Sequence, residues 1–309
     1  MSALPSSLHL LVIDAQSLAA RAAHVASDDV TAGVRLWCQM ARGTAMDVGA
    51  THLVAAWDHD GPTFRHGLFP SYKHRRTGDT RTRVAPIRTA LEGAGVMSVS
   101  VEGFEGDDVV ASIMAGFRAT LPVTLLSNDS DLLQFVDDQV QVVSYVGVGK
   151  GTDGLRVRRW LAADVHARFG VTPSQLPDFK ALCGEDGDDI PGIARIGKGT
   201  AAKLLRRWQS LEKALEASEF VSHRDETAKL AGQHEQARLM RRLTTIRQDA
   251  PLPLFDLARC ALDAVAWPPG SVTRSRPGAA AGSADSVGVA APVTRTAAGP
   301  GLEEIPWPE

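Results

Sequence analysis

The sequence predicts an α/β fold, a mostly parallel sheet with flanking helices joined to a helical region, and three observations predict it. Short apolar runs alternate with longer amphipathic stretches from residue 8 to about 145, the βαβ rhythm of a sheet covered by helices. Acidic residues sit just past the ends of three of those runs: Asp14 after LHLLVI, Asp58 after HLVAAW, and Asp129 and Asp131 after VTLLSN. From about Arg159 to Arg247 the strand signal fades. Short helical patterns replace it, punctuated by Gly170, Pro173, Gly184, Pro191 and Gly197.

The strands expected in order are Leu8–Ile13, His52–Trp57, Met97–Val101, Thr124–Leu126 and Val140–Ser144, each a short run suited to burial on both faces. Between them Val30–Val48, Ile87–Gly95, Asp107–Thr120 and Asp131–Phe135 carry the helical period. This gives an α/β core over 1–155 and a helical region over 156–267. Residues 268–309, rich in Ala, Gly, Ser, Pro and Val, read as a disordered tail.

A hydrophobic content of 44% over 309 residues is ample for a core, and no apolar run approaches a membrane span. The N-terminus lacks a charged leader, and Asp14 interrupts its apolar stretch, so no signal peptide is expected. Cys38, Cys183 and Cys260 are far apart and odd in number, which suits thiols in a reducing cytoplasm. The net charge of −3 averages an acidic cluster with basic patches and does not exclude nucleic acid as a partner.

If the apolar runs are neighbouring parallel strands, their carboxylates meet at one edge of the sheet, where open α/β folds place their sites. Two further acidic groups, Glu105 with Asp107 and Asp108, and Glu185 with Asp188, sit at a helix start and in a turn. Each has an ordinary reading as a cap or hydrophilic turn. Together they would repel one another unless a hard divalent cation relieved them, so the pattern points to Mg²⁺ or Mn²⁺ and phosphate chemistry. GPTFRHGLFPSYKHRR mixes cations with aromatics and suits a phosphate backbone, although a solvated basic loop would look the same. IPGIARIGKGTAAKLLRRW places a glycine turn before a helix N-terminus, an arrangement that presents backbone N–H groups to an anion.

These segments, with FEGDDVVASI, LLSNDSDLLQFV and ALCGEDGDDIPGIARIGKGTAAKLL, resemble the bacterial 5′→3′ exonuclease and flap endonuclease family in collinear order over roughly residues 8–255. The resemblance implies a PIN-like (resolvase-like) core, a helix-3-turn-helix region and two-metal-ion hydrolysis of DNA at 5′ ends, flaps and branches, in replication and repair. It implies a first metal site of Asp14, Asp58, Glu105 and Asp107, and a second of Asp107 or Asp108 with Asp129, Asp131, Glu185 and Asp188. Arg65, Tyr72, Lys73 and Arg76 would lie beside the scissile phosphate. Gly192, Ile196, Gly197, Lys198, Thr200 and Lys203 would touch duplex DNA, with a K⁺ ion at that turn. The implied protein is a stand-alone, monomeric, cytoplasmic and nucleoid-associated enzyme acting on branched or nicked DNA. A catalytically weak DNA-structure sensor and a PIN-type ribonuclease are the alternatives. Glu185 departs from the pattern, which has Asp there.

Overall fold

The structure, a computed structural model, describes residues 8–75, 80–148, 155–254 and 256–269. All of them belong to one compact unit, Met1–Thr273. Arg76 lies outside the described residues, as does the expected tail from residue 270 onward.

The described residues form a six-stranded sheet in the order β3-β2-β1-β4-β5-β6. The strands are β1 (Leu10–Asp14), β2 (His52–Ala56), β3 (Ser98–Val99), β4 (Val123–Leu126), β5 (Val140–Val148) and β6 (Leu155–Trp160). All neighbours pair parallel except β5 and β6. β1 is central: Leu10 stands opposite both His52 of β2 and Val123 of β4. The chain moves outward from β1 first one way and then the other, so a switch point opens between β1 and β4 at their carboxyl ends.

Leu10 to Ile13 are fully buried because helices cover both faces. Leu11 and Ile13 share a core with Leu18 of α1 (Ala15–Val25), Trp37 and Met40 of α2 (Val30–Val48) and, beyond the short α3 (Phe64–Leu68), Ile87 of α4 (Thr80–Gly93). The alternate residues of β1 point to the opposite face, where α5 (Gly106–Phe117) packs against β1, β2 and β4.

Four elements differ from the sequence expectation, each for a physical reason. α1 follows β1 without a loop because Asp14 both ends the strand and caps the helix, accepting the Ser17 N–H at 3.0 Å. α4 starts at Thr80 and carries Pro86 inside it; a proline forfeits one intrahelical bond, so the pattern reads as starting after it. Asp131–Phe135 winds as a tighter 3₁₀ turn. β6 (LRVRRW) looks polar because it is an antiparallel edge strand, with only Trp160 of its described side chains buried. The sheet thus runs on to Trp160, past the expected core limit at residue 155.

The helical part comprises α6 (Ala162–Phe169), α7 (Leu176–Cys183), α8 (Lys198–Trp208), α9 (Leu211–Ser218) and α10 (His234–Thr244). Asp178 of α7 organises it, accepting the Leu211 N–H at 2.9 Å and pairing with Arg241 of α10. The turn after α7 depends on two glycines. Gly184 and Gly192 both adopt positive φ, and a Cβ on Gly192 would lie 2.4 Å from the Gly184 nitrogen. That close approach sets the acidic turn against the hairpin.

Candidate metal centre

The sheet delivers its carboxylates to one place. Asp14 ends β1, Asp58 lies just beyond β2, and Asp129 just beyond β4, all on the carboxyl edge. Asp14 accepts a 2.6 Å bond from Ser127 Oγ, and the Ser127 hydroxyl also accepts the Asp129 N–H at 2.8 Å. Asp58 Oδ1 accepts the Gly106 N–H at 2.7 Å; a Cβ at Gly106 would press on that oxygen at 3.1 Å. Asp107 sits in the first turn of α5.

The electrostatics of these carboxylates are set by burial first and by one another second. Burial pushes the Asp14 carboxyl up to about 7, against the hydrogen bonds from Ser127 and Ser17, and the Asp129 and Asp58 charges push the same way. Burial also raises Asp107 well above the carboxylate range, with Asp129, Asp14 and Asp58 adding to it and Lys73 opposing. Ligand oxygens of Asp131, Glu185 and Asp188 lie within 4.8 Å of one another. Burial raises Glu185 despite Lys180, and Asp188 and Asp129 add to the rise. The Asp129 charge therefore bears on Asp14, Asp107 and Glu185 alike.

Glu105 lies beside them under a cationic rim. Its carboxylate accepts from Tyr72 Oη at 2.9 Å and Lys73 Nζ at 2.8 Å, and Arg65 Nη1 is 3.2 Å away. Burial pushes the Glu105 carboxyl up, but the Lys73 and Arg65 charges outweigh it and hold the carboxyl below its ordinary value. Tyr72 also donates to Asp188 Oδ2 at 3.3 Å, tying α5 to the turn after α7. Burial, with the Glu105 and Asp188 charges, keeps that phenol protonated.

Two expected site residues are taken up by other contacts. Asp108 is fully buried, and each of its oxygens accepts two hydrogen bonds. Oδ2 takes Arg65 Nη1 at 2.6 Å and the Glu105 N–H at 3.1 Å; Oδ1 takes Arg65 Nη2 at 2.9 Å and the Arg247 N–H at 2.8 Å. No lone pair is left for a cation. Arg65 is 2% exposed and also donates to the Leu243 and Thr245 carbonyls, so it is a buried clamp out of reach of a phosphate. In the hairpin, Gly192 and Ile196 are buried and shape the turn, whereas Gly197, Lys198 and Lys203 are exposed and Thr200 is half-buried. Arg195 occupies the left-handed region at φ 67°.

Two residues escaped the sequence reading. Ser127 is a small polar residue at a strand end; Ser144 Oγ donates to its carbonyl at 2.7 Å and receives the Trp160 indole N–H at 3.0 Å, so the edge strand braces the site. Lys180 pairs with Asp131 and, at 2.8 Å, with Glu185. Its signal was a lone lysine in the apolar stretch FKALC.

The donor set fits a hard cation. It is all oxygen, it is crowded enough to raise its own proton affinities, and Glu185 Oε2 is buried with no hydrogen-bond partner. A stability test follows. Asp14 titrates near 3.8 when unfolded and near 7 when folded, so its contribution is complete below about pH 3.8 and is lost as pH rises through about 7. In EDTA, Asp14→Asn melts higher than the parent at pH 8, and the gap closes by pH 4. A lower midpoint for the variant at pH 8 contradicts the crowding.

Fold and site together define a class: an α/β domain that gathers hard-oxygen ligands at the switch point of its sheet, continued by a helical domain behind a glycine turn. The chain belongs to the 5′-3′ exonuclease family. Residues 9–170 match the family's N-terminal resolvase-like domain and residues 171–266 its C-terminal SAM fold. DNA polymerase I of Rhizobium leguminosarum is 30% identical over 264 residues, 80% of this chain but 25% of that protein. The chain thus spans about a quarter of the length of that relative. A 5′-3′ exonuclease of Mycoplasmopsis pulmonis is 28% identical over 79% of this chain and 82% of its own. The fold is similar to that of the bacteriophage T5 5′-exonuclease with bound zinc (TM-score 0.66, 20% identity, covering 83% of this chain and 95% of that one). It is also similar to that of the T5 flap endonuclease with DNA and metal ions (TM-score 0.63, 17% identity, 76% and 88% covered). No helix among the described residues is long and apolar enough to cross a membrane.

Proposed function

We propose that this chain is a structure-specific 5′ nuclease that hydrolyses DNA phosphodiester bonds at 5′ ends, flaps and branches, as primer removal in replication and repair requires. One observation carries the reading: acidic residues far apart in sequence meet around Asp129 in a half-buried, mutually repelling group. Asp14, Asp58 and Asp107, with Glu105 beside them, would hold one Mg²⁺ or Mn²⁺; Asp129, Asp131, Glu185 and Asp188 would hold another. When bound, these cations supply Lewis-acid polarisation of the scissile phosphate and offset its charge.

The chain's own residues do the rest. Lys73, partly exposed and poised between Glu105 and Asp188, offers a preorganised cation to phosphoryl oxygens. Tyr72 is too buried to stack on a base, and it holds Glu105 and Asp188 in register. Gly197, Lys198 and Thr200 open α8, whose first N–H groups lack intrahelical partners and suit a DNA phosphate, and a K⁺ ion at the turn would serve the same contact. The division into a nuclease core and a helical DNA-binding region belongs to this reading, as does action by a single copy.

Matched 5′-labelled flap, nicked and blunt DNAs, with an RNA flap beside them, test it in Mg²⁺, Mn²⁺ and EDTA. The expected result is cation-dependent cutting near the DNA branch or 5′ end. Cutting confined to RNA, or tight flap binding without product in either cation, overturns it.

A further inference from the structure

Residues 72–75 lie between α3 and α4 and belong to neither helix. Two of their side chains reach Glu105: the Lys73 ammonium at 2.8 Å and the Tyr72 hydroxyl at 2.9 Å. Their backbone hangs on the turn after α7. The Lys73 N–H donates to the Asp188 carbonyl at 3.0 Å, and the Arg75 N–H donates to Asp189 Oδ2 at 2.8 Å. The Arg75 guanidinium adds a bond to Asp189 Oδ1. That turn is closed on itself, because Glu185 and Ile190 exchange both backbone bonds, at 2.8 and 3.0 Å. Lys73 and Asp189 both lie in the left-handed region, at φ 53° and 57°. A lysine seldom keeps that conformation unless its surroundings impose it. The Asp189 side chain is 9% exposed and that of Arg75 73%, so the ion pair itself adds little to folding stability.

We propose that Asp189 is a positioning residue: its carboxylate latches residues 72–75 to the turn after α7 and so aims the Lys73 ammonium at the acidic site. The inference rests on the role given to Lys73 above and deepens it. Asp188 and Asp189 divide the work. The first carboxylate joins Asp131 and Glu185; the second turns to Arg75. The short turn that brings Glu185 and Asp188 to the site thus also sets where Lys73 stands. Cation and carboxylates are placed together by the helical part of the chain.

Amide hydrogen exchange in the metal-free chain tests the latch, and single-turnover cleavage of a 5′-flap DNA in Mg²⁺ tests its use. In the parent the Arg75 amide is protected. Asp189→Gly suits the left-handed backbone and removes the acceptor. It speeds that exchange about tenfold or more and slows cleavage about tenfold, while flap binding in Ca²⁺ and the melting midpoint stay close to the parent's. Asp189→Asn keeps a carbonyl acceptor and tolerates the same backbone, so protection and most of the rate return. In a Lys73→Ala chain, adding Asp189→Gly slows cleavage no further, because Asp189 acts only through Lys73. An unprotected Arg75 amide in the parent, a midpoint far below the parent's in Asp189→Gly, or an equal slowing with and without Lys73 overturns the proposal and leaves the nuclease reading intact. A Lys73→Ala chain that cuts as fast as the parent removes Lys73 from the site and the proposal with it. A parent that cuts no DNA overturns both.

Discussion

Asp107→Asn removes nearly all Mg²⁺-dependent cleavage, about 10³-fold or ~4 kcal/mol in the chemical step, and leaves binding of branched DNA in Ca²⁺ intact. The side chain keeps its shape and loses its charge. Burial and the charges of Asp129, Asp14 and Asp58 all oppose that charge in the folded protein, so the fold does not need it. Its use lies in holding a cation. DNA affinity is held or strengthened, because one negative charge leaves the surface that a phosphate approaches. Single-turnover cleavage and a filter-binding isotherm measure the two effects separately. Turnover within tenfold of the parent removes Asp107 from the site; a parallel loss of binding makes it a folding residue instead.

Arg65→Ala costs about 3–5 kcal/mol of stability, the cost of leaving a buried charge without its partner. The guanidinium makes a fork to Asp108 at 2.6 and 2.9 Å and donates to the Leu243 and Thr245 carbonyls. It joins α3 and α5 to the end of α10, and its loss strands Asp108 in the interior. Burial alone would favour the neutral arginine, but Asp108 and Glu105 outweigh it and hold the charge firmly. Arg65→Lys recovers little of this, because a point ammonium cannot serve both carboxylate oxygens and two carbonyls. Urea midpoints with a common slope measure the loss. A parent-like midpoint combined with slow cleavage returns Arg65 to the scissile phosphate, where the sequence pattern had put it.

Those two residues mark where the sequence is legible and where it is not. Asp14, Asp58 and Asp129 could be read because a strand end followed by a carboxylate is a local pattern, and the parallel order of the strands does the gathering. Asp108 could not be separated from Asp107 by pattern. Neighbours on a helix point in different directions, and only the packing of Arg65 shows which one is taken. Ile196 is similar: inside a motif of this kind a residue can serve by being buried, as Ile196 is. Ser127 and Lys180 carry no motif of their own. Their roles arise from contacts to Asp14, Asp131 and Glu185 that join segments distant in the chain. α4 and β6 were hidden by Pro86 and by the arginines of an edge strand, where local composition opposes a structure that tertiary packing imposes. Glu185, set apart by its extra methylene, still reaches Asp131 and Asp188 and keeps one oxygen without a partner.

The central claim is that folding gathers these carboxylates into one cation-binding centre at the switch point of the sheet. Crystals soaked in Mn²⁺ and measured at an energy where manganese scatters anomalously test it most directly. The account predicts a peak touching Asp14, Asp58 and Asp107, and another touching Asp131, Glu185 and Asp188, with Asp129 between them. Manganese peaks found only at surface carboxylates, with the space around Asp129 empty, contradict it.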